Sequence, residues 1–353
     1  MSKRGWAAML AVAVLGMLSA CKSSNNASQN VALSGAGSTF INPVMTRWTA
    51  DYSQAHPNVQ INYQSIGSGG GIQQVKAGTV DFGASDVALK DQQLAAMAPV
   101  VQIPETAGPV CITYNLPGLT QPLKLSADAL AGLFLGTIKT WKDPLLAKDN
   151  PGVKLPSTPV IISHRSDGSG TTGIFTTYLS AISPDWKQKI GAGTAVSWPT
   201  GIGGKGSEGV TGNIRNSAGA IGYVELTYAQ QNNLPTALIE NQAQQFVAPT
   251  AAGTTADIAA FAAQLAQDPR QPIVNPPATA PEAYPISGLT FLIIPKDGPD
   301  TAKRTALKQF IQYIISDGQA AAGALNYAPL PDSVKQYDQQ QLQQLTAAGQ
   351  PIS

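Results

Sequence analysis

Three times along this chain glycine, serine and threonine cluster just where a helical spacing begins. That repetition confines it to folds in which strands feed helices through short polar loops. The fullest case is Arg165-Ser166-Asp167-Gly168-Ser169-Gly170-Thr171-Thr172. It follows the strand-like run Val160-Ile161-Ile162 and precedes Ile174, Phe175, Tyr178, Leu179 and Ile182 at helical intervals. Gly35-Ala36-Gly37-Ser38-Thr39-Phe40 likewise precedes Ile41, Val44, Met45 and Trp48, and Gly67-Ser68-Gly69-Gly70-Gly71 precedes Ile72 and Val75. A helix N-terminus has unpaired N–H groups and partial positive charge, which suits an anion. Arg165 adds a planar fork of donors matched to an oxyanion, and the hydroxyls of Ser169 and Thr171 can donate as well. Convergence of three such loops points to one anion. The plainer alternative is a set of ordinary N-caps, with Asp167 or Ser169 as the cap, in a chain with 34 glycines among 353 residues.

Between these loops the pattern is strand, helix, strand. Val31-Ala32-Leu33 reads as a strand, Phe40–Ala55 as a helix, Val59–Tyr63 as an alternating strand, Val80–Asp86 as a short strand and Gln92–Met97 as a short helix. Such β/α alternation predicts a mostly parallel sheet flanked by helices, with ligands at the carboxyl ends of strands. Thr106–Pro109 reads as a crossover into a second domain. That domain opens with Cys111–Asn115 and contains a helix at Ala127–Gly136 and a strand at Ala220–Val224. Gln271–Pro285 reads as a loop, Leu289–Ile294 as a strand buried on both faces, and Thr301–Ile315 as a helix with Leu307, Phe310, Ile311, Ile314 and Ile315 inward. Pro331–Ala348 reads as a polar, superficial helix.

The N-terminus reads as targeting sequence. Lys3 and Arg4 precede an apolar stretch from Ala7 to Leu18 that is short for a bilayer span. Leu18-Ser19-Ala20-Cys21 is similar to a bacterial lipobox, which implies a signal peptide over 1–20 and lipidation of Cys21. The Ser/Asn/Gln-rich stretch after Cys21, to about residue 32, reads as a flexible tether. Cys111 is then the one remaining cysteine, so no disulfide is expected, and an apolar strand makes it a small buried hydrophobe rather than a nucleophile. The chain carries 22 basic and 21 acidic side chains, and without Lys3 and Arg4 the balance is 20 to 21, or −1. With no basic block, nucleic-acid binding is disfavoured. Two distant histidines and one free cysteine give no metal-ligand cluster, so neither metal nor cofactor is expected. Gly201–Gly206 fits the dinucleotide pattern GxGxxG with Glu225 about twenty residues on. Pro199 breaks the strand before it, and Gly209 and Gly212 are expected to interrupt the helix after it.

Seven stretches carry a family resemblance: GAGSTF (35–40), IGSGGG (66–71), DFGASD (81–86), RSDGSGTT (165–172), WPTGIGGKGSEG (198–209), GAIGYVE (219–225) and NYAPLPDSV (326–334). In this order they resemble the periplasmic phosphate-binding proteins that feed ABC phosphate importers. The resemblance implies a two-lobed α/β fold with phosphate in the interlobe cleft. The first lobe would be built from 33–107 and 285–353 and the second from 108–284. It implies that Thr39 and Phe40 hold phosphate through backbone N–H groups and the threonine hydroxyl, with Ser68, Arg165, Ser169, Gly170 and Thr171 as further contacts. Asp167 would orient Arg165, and Asp86 would be the lone carboxylate facing the ligand. Ser38 stands where the family commonly has Ala, and Gly69 where it commonly has Ser. Implied partners are inorganic phosphate, the permease membrane subunits with their ATPase, and a membrane reached through the lipid on Cys21. A monomer on the periplasmic or cell-surface side is expected.

A carboxylate aimed at an anion repels it unless the anion brings a proton. Phosphate keeps one near neutral pH and sulfate does not, so Asp86 would select phosphate at a like-charge cost of several kcal/mol against sulfate. By its residues alone Asp86 could equally be a turn or cap aspartate after a strand. A secreted phosphatase is the enzymatic alternative. It would need a base for Ser38, Ser68 or Ser169, and His164 is the sole nearby candidate, on the face opposite Arg165 if both lie in a strand. A surface phosphate sensor or adhesin on the same fold is a third reading.

Overall fold

The computed structural model describes residues 30–352. The signal-peptide expectation over 1–20, Cys21 and the tether up to residue 29 fall outside the described residues. No helix among those described is long and apolar enough to cross a membrane.

One eight-stranded sheet runs through the molecule, in the spatial order Val59–Ser65, Val31–Gly37, Phe82–Ser85, Ser287–Pro295, Val100–Tyr114, Ala220–Glu225, Ile161–Arg165, Ile202–Gly204. The three strands on the first flank are parallel to one another, as are the three on the second flank. The two central strands are antiparallel to their neighbours and to each other. The expected parallel sheet therefore describes each flank, and the antiparallel centre joins them. Helices flank the sheet in a mixed α/β fold.

The strand Val100–Tyr114 makes that junction. Its residues Val100–Pro109 pair with Ser287–Pro295, and Val110–Tyr114 pair with Ala220–Glu225. Thr106–Pro109 is thus no loop between two strands: the chain passes from one flank to the other as one extended element, buried almost throughout. Pro104 and Pro109 lack a backbone donor, yet the ladder tolerates them, with a register irregularity opposite Pro104 at Thr290/Phe291. Leu289–Ile294 lies in the sheet centre, buried on both faces as its continuous apolar run dictates.

On the first flank, Asn42–Ala55 buries Val44, Met45, Trp48 and Tyr52, and Tyr52 meets Phe310 of helix Thr301–Ile315 edge-on at 5.1 Å between centroids. Asp300 caps that second helix by accepting from the Lys303 N–H at 3.0 Å. On the second flank, Phe175 lies between Phe134 and Tyr223, with both centroids 4.6 Å away.

Four expectations need correction. The first helix begins at Asn42, not Phe40, because Pro43 at its start needs no N–H partner. The glycines of Gly67–Gly71 are mostly helix: Ser68–Ala77 starts at the serine and packs against the strand Val31–Gly37 so closely that only glycine fits at 71. Gly209 and Gly212 do not interrupt the helix Gly206–Asn216, which buries Val210 and Ile214 and is held by packing rather than propensity. The polar C-terminal helix is short, Asp332–Leu342, and is followed by a small hairpin of Thr346–Ala347 and Gln350–Pro351. Nor is it superficial: Val334, Asp338 and Leu342 are buried, and burial pushes the unpartnered Asp338 carboxyl up to about 8.

A Cβ on Gly71 would lie 2.4 Å from the Ala36 carbonyl oxygen, whereas one on Gly212 meets nothing within 4 Å. In urea unfolding, Gly71→Ala should therefore destabilise by about 1–3 kcal/mol, as overpacking against backbone does. Gly212→Ala should stabilise by about 0.5–1 kcal/mol through helix propensity.

Candidate anion-binding site

The loop ends of both flanks meet over the carboxyl ends of the strands Val31–Gly37, Phe82–Ser85 and Ile161–Arg165. Ser38, Thr39 and Phe40 follow the first strand, Asp86 follows the second, and Arg165 closes the third. Ser68 opens its helix, and Ser169 caps the helix Gly170–Ile182 by accepting from the Thr172 N–H at 3.1 Å. Ser169 is thus the cap, and Asp167 is free to do something else. It takes Arg165 in a two-pronged ion pair, at 2.8 Å to Nε and 2.5 Å to Nη2.

All of the residues expected at the site are brought together. Arg165 Nη1 donates to Thr39 Oγ1 at 3.0 Å, joining the two flanks. Ser68 Oγ accepts from the Gly170 N–H at 3.0 Å and from the Asp86 N–H at 3.4 Å. Thr171 Oγ1 donates to Asp86 Oδ2 at 3.0 Å, and Ser38 Oγ donates to Asp86 Oδ1. Phe40 packs its ring against Tyr327 and turns its N–H toward Ser38 Oγ at 3.0 Å. The flanks approach backbone to backbone, with the Gly69 N–H donating to the Gly168 carbonyl at 2.9 Å. A Cβ on Gly170 would fall 2.6 Å from Asp86 Cβ, and one on Gly67, at φ +86°, would fall 2.2 Å from Asp167 Oδ2. Any larger residue at either position would hold the flanks apart.

Both charges at the centre are nearly out of water: Asp86 is 3% exposed and Arg165 4%. Burial drives the Asp86 carboxyl up to about 6, against the bonds from Ser38 and Thr171 and the charge of Arg165. Burial works to lower Arg165, but the bond and charge of Asp167 outweigh it and hold the guanidinium above its ordinary value. Asp167 resists its own partial burial and stays below the usual carboxylate range because of Arg165 and the Gly206 N–H, which donates to it at 3.0 Å.

Several groups were not assigned from the sequence. Ser207 N–H donates to Thr39 Oγ1 at 3.1 Å, and the two hydroxyls are 2.9 Å apart. The Tyr228 hydroxyl lies 2.7 Å from the Thr39 carbonyl oxygen and 2.9 Å from Glu208 Oε1. Tyr63 donates to the Ser38 carbonyl at 2.8 Å. The stretch 198–209 that yields Gly206, Ser207 and Glu208 fits a dinucleotide pattern in sequence. In the structure Ile202–Gly204 is an edge strand within the motif, and the turn serves Asp167 and Thr39. Glu225 is buried, pushed up to about 8 by that burial against the bonds from Thr227, and accepts from the Thr227 N–H at 2.9 Å as a helix cap.

The comparisons with known proteins decide the family. The profile of the PBP superfamily domain matches residues 24–318. The chain is 45% identical over 312 residues to the phosphate-binding protein PstS of Xylella fastidiosa strain Temecula1, covering 88% of this chain and 85% of the relative. The chain belongs to the PstS family of phosphate-binding proteins. The PstS of Haemophilus influenzae is 43% identical over 306 residues, covering 86% and 90% of the two chains. Among solved structures, a high-affinity periplasmic phosphate-binding protein determined with bound phosphate has the same fold, with a TM-score of 0.69 and 24% identity over 87% of this chain and 92% of that one.

The groups around this cluster are chemically plain in other respects. No group of three or more His, Cys, Asp or Glu side chains among the described residues could hold a metal ion. Cys111 is buried, donates to the Val224 carbonyl, and is pushed well above an ordinary thiol by burial. His164 stacks on Trp198 at 5.0 Å, with Nδ1 on the Arg165 carbonyl oxygen at 3.0 Å.

The raised Asp86 fixes the sign of a pH effect. Between the unfolded carboxyl value near 4 and the folded value of about 6, the folded protein binds more protons than the unfolded chain. The contribution of Asp86 to stability therefore falls as pH rises through that window and is constant above it, while Glu225 and Asp338, held up to about 8, carry the fall of the whole protein further. Asp86→Asn lacks this cost, so its advantage over the parent in urea unfolding should grow from about zero at pH 4 to about 3 kcal/mol by pH 7.

Proposed function

We propose that this chain captures inorganic phosphate between two lobes and delivers it to an ABC-type import permease. One observation carries the reading. A buried carboxylate and a buried guanidinium from opposite flanks face one cluster of hydroxyls and N–H groups. An anion that is also a hydrogen-bond donor is the ligand that satisfies both charges. In this reading Arg165, oriented by Asp167, neutralises the phosphate. The Thr39 and Phe40 N–H groups, the Thr39 hydroxyl, and Ser68, Ser169, Gly170 and Thr171 complete its shell, while Asp86 accepts a hydrogen bond from its protonated oxygen. The PstS names of the relatives support it.

The lobes in this proposal are 33–107 with 285–353, and 108–284. They close about the extended centre of the sheet, so that each supplies half of the shell. The signal peptide over 1–20, lipidation of Cys21 and a tether to residue 32 would keep the domain, as a monomer, on the outer face of a membrane. Catalysis has no part in it. The Ser38, Thr39, Ser68 and Thr171 hydroxyls bond carboxylate, amide, guanidinium or the Ser207 hydroxyl, and none bonds a histidine.

The test is calorimetry on the chain from residue 22, stripped of ligand by unfolding and refolding. Phosphate should bind tightly at one site and sulfate should give no heat. Asp86→Asn should shrink the preference by about 10²–10³-fold, the equivalent of several kcal/mol of relieved like-charge repulsion. Equal binding of both anions by the parent would overturn the assignment of Asp86, and binding of neither would overturn the function. Arg165→Lys should weaken phosphate binding at least tenfold, because a point charge cannot keep both the Asp167 fork and the ligand.

A further inference from the structure

Ser38 is the residue at this site for which the family resemblance supplies no role, since an alanine commonly stands there. Its backbone is fixed: the N–H donates to the Ala84 carbonyl at 2.9 Å, and the carbonyl accepts from Tyr63 at 2.8 Å. The side chain is 1% exposed. Its oxygen accepts from the Phe40 N–H at 3.0 Å, so its single proton is the one given to Asp86 Oδ1. An oxygen that accepts from Phe40 and donates to Asp86 occupies two groups that the proposed shell gives to phosphate.

We propose that Ser38 is a built-in competitor for the ligand, its hydroxyl standing in for the protonated phosphate oxygen and setting the affinity of the site. The inference rests on the assignment of Phe40 and Asp86 as phosphate contacts. The Phe40 N–H has one hydrogen and serves either Ser38 or the ligand. Asp86 keeps spare lone pairs, but Thr171 Oγ1 holds its Oδ2 at 3.0 Å and Ser38 Oγ holds its Oδ1, so a ligand hydroxyl that donates to Oδ1 meets Ser38 there. With the backbone held at both ends, the hydroxyl yields by turning about χ1 to another staggered position, at the cost of both bonds. Alanine at this position has nothing to displace.

The prediction runs against the usual effect of deleting a buried hydrogen bond at a binding site. In calorimetry on the chain from residue 22, Ser38→Ala should bind phosphate about tenfold more tightly than the parent. Its melting temperature without phosphate should be lower, and the rise on adding saturating phosphate larger. Ser38→Cys keeps the bulk but is a poor donor and acceptor, and should tighten binding by a smaller factor; it also serves if the alanine variant does not fold. Phosphate binding in either folded variant that is equal to or weaker than that of the parent would overturn the inference while leaving the phosphate function standing. If the parent itself binds no phosphate, the functional reading fails and this inference fails with it.

Discussion

A carboxylate and a guanidinium removed from water on opposite sides of one closure set the terms for the rest of this molecule. Neither Asp86 nor Arg165 can be buried unless its charge is answered. Arg165 is answered locally by Asp167, two residues away, whose own carboxylate is steadied by the Gly206 N–H. Asp86 has no such partner. Hydroxyls from both flanks, Ser38 and Thr171, hold it, and its carboxyl still titrates near 6 because burial outweighs them. Arg165 is compensated by a carboxylate on its own loop, whereas Asp86 is held by neutral hydroxyls and keeps acceptor capacity. In the proposed reading that asymmetry suits an anion that donates a hydrogen bond, as hydrogen phosphate does and sulfate does not.

The sheet delivers the two charges to one place. Each flank is a parallel β/α unit that puts its loops at the carboxyl ends of its strands. The antiparallel pair Val100–Tyr114 and Ser287–Pro295 holds the flanks in one sheet while letting those ends face each other. Glycine at 67 and 170 then lets the loops approach to contact distance. Tyr63, Tyr228 and Tyr327 reach in from outside the loops and fix the carbonyls of Ser38, Thr39 and Phe40, so the N–H groups of that turn are aimed by three phenols.

Much of this was legible in the sequence, for identifiable reasons. Thr301–Ile315 and Leu289–Ile294 were plain because one has a clean apolar face and the other an unbroken apolar run. Arg165, Asp167, Ser169 and Thr171 lie within seven residues, so local spacing exposes them. Asp86 needed the family resemblance, since an aspartate after a strand is otherwise a common turn residue. Other features depended on contacts distant in sequence. The helices at Ser68–Ala77 and Gly206–Asn216 are glycine-rich and exist through packing against strands. Asp338 is buried in a helix whose sequence is almost wholly polar. Ser207 and Tyr228 act on Thr39 from 168 and 189 residues away, a pairing no local pattern encodes.

The proposed reading turns on Asp86 accepting a hydrogen bond from the protonated oxygen of the ligand. Monofluorophosphate tests it most directly. It keeps the phosphorus, the three unprotonated oxygens and the double negative charge of hydrogen phosphate, and replaces the one hydroxyl with fluorine. Calorimetric titration of the ligand-stripped protein above neutral pH should find monofluorophosphate bound at least about a hundredfold more weakly than phosphate, because a buried acceptor is left facing an anion with nothing to donate. Equal affinity would mean that Asp86 does not accept that hydrogen bond, and the selectivity of the site would have to arise elsewhere.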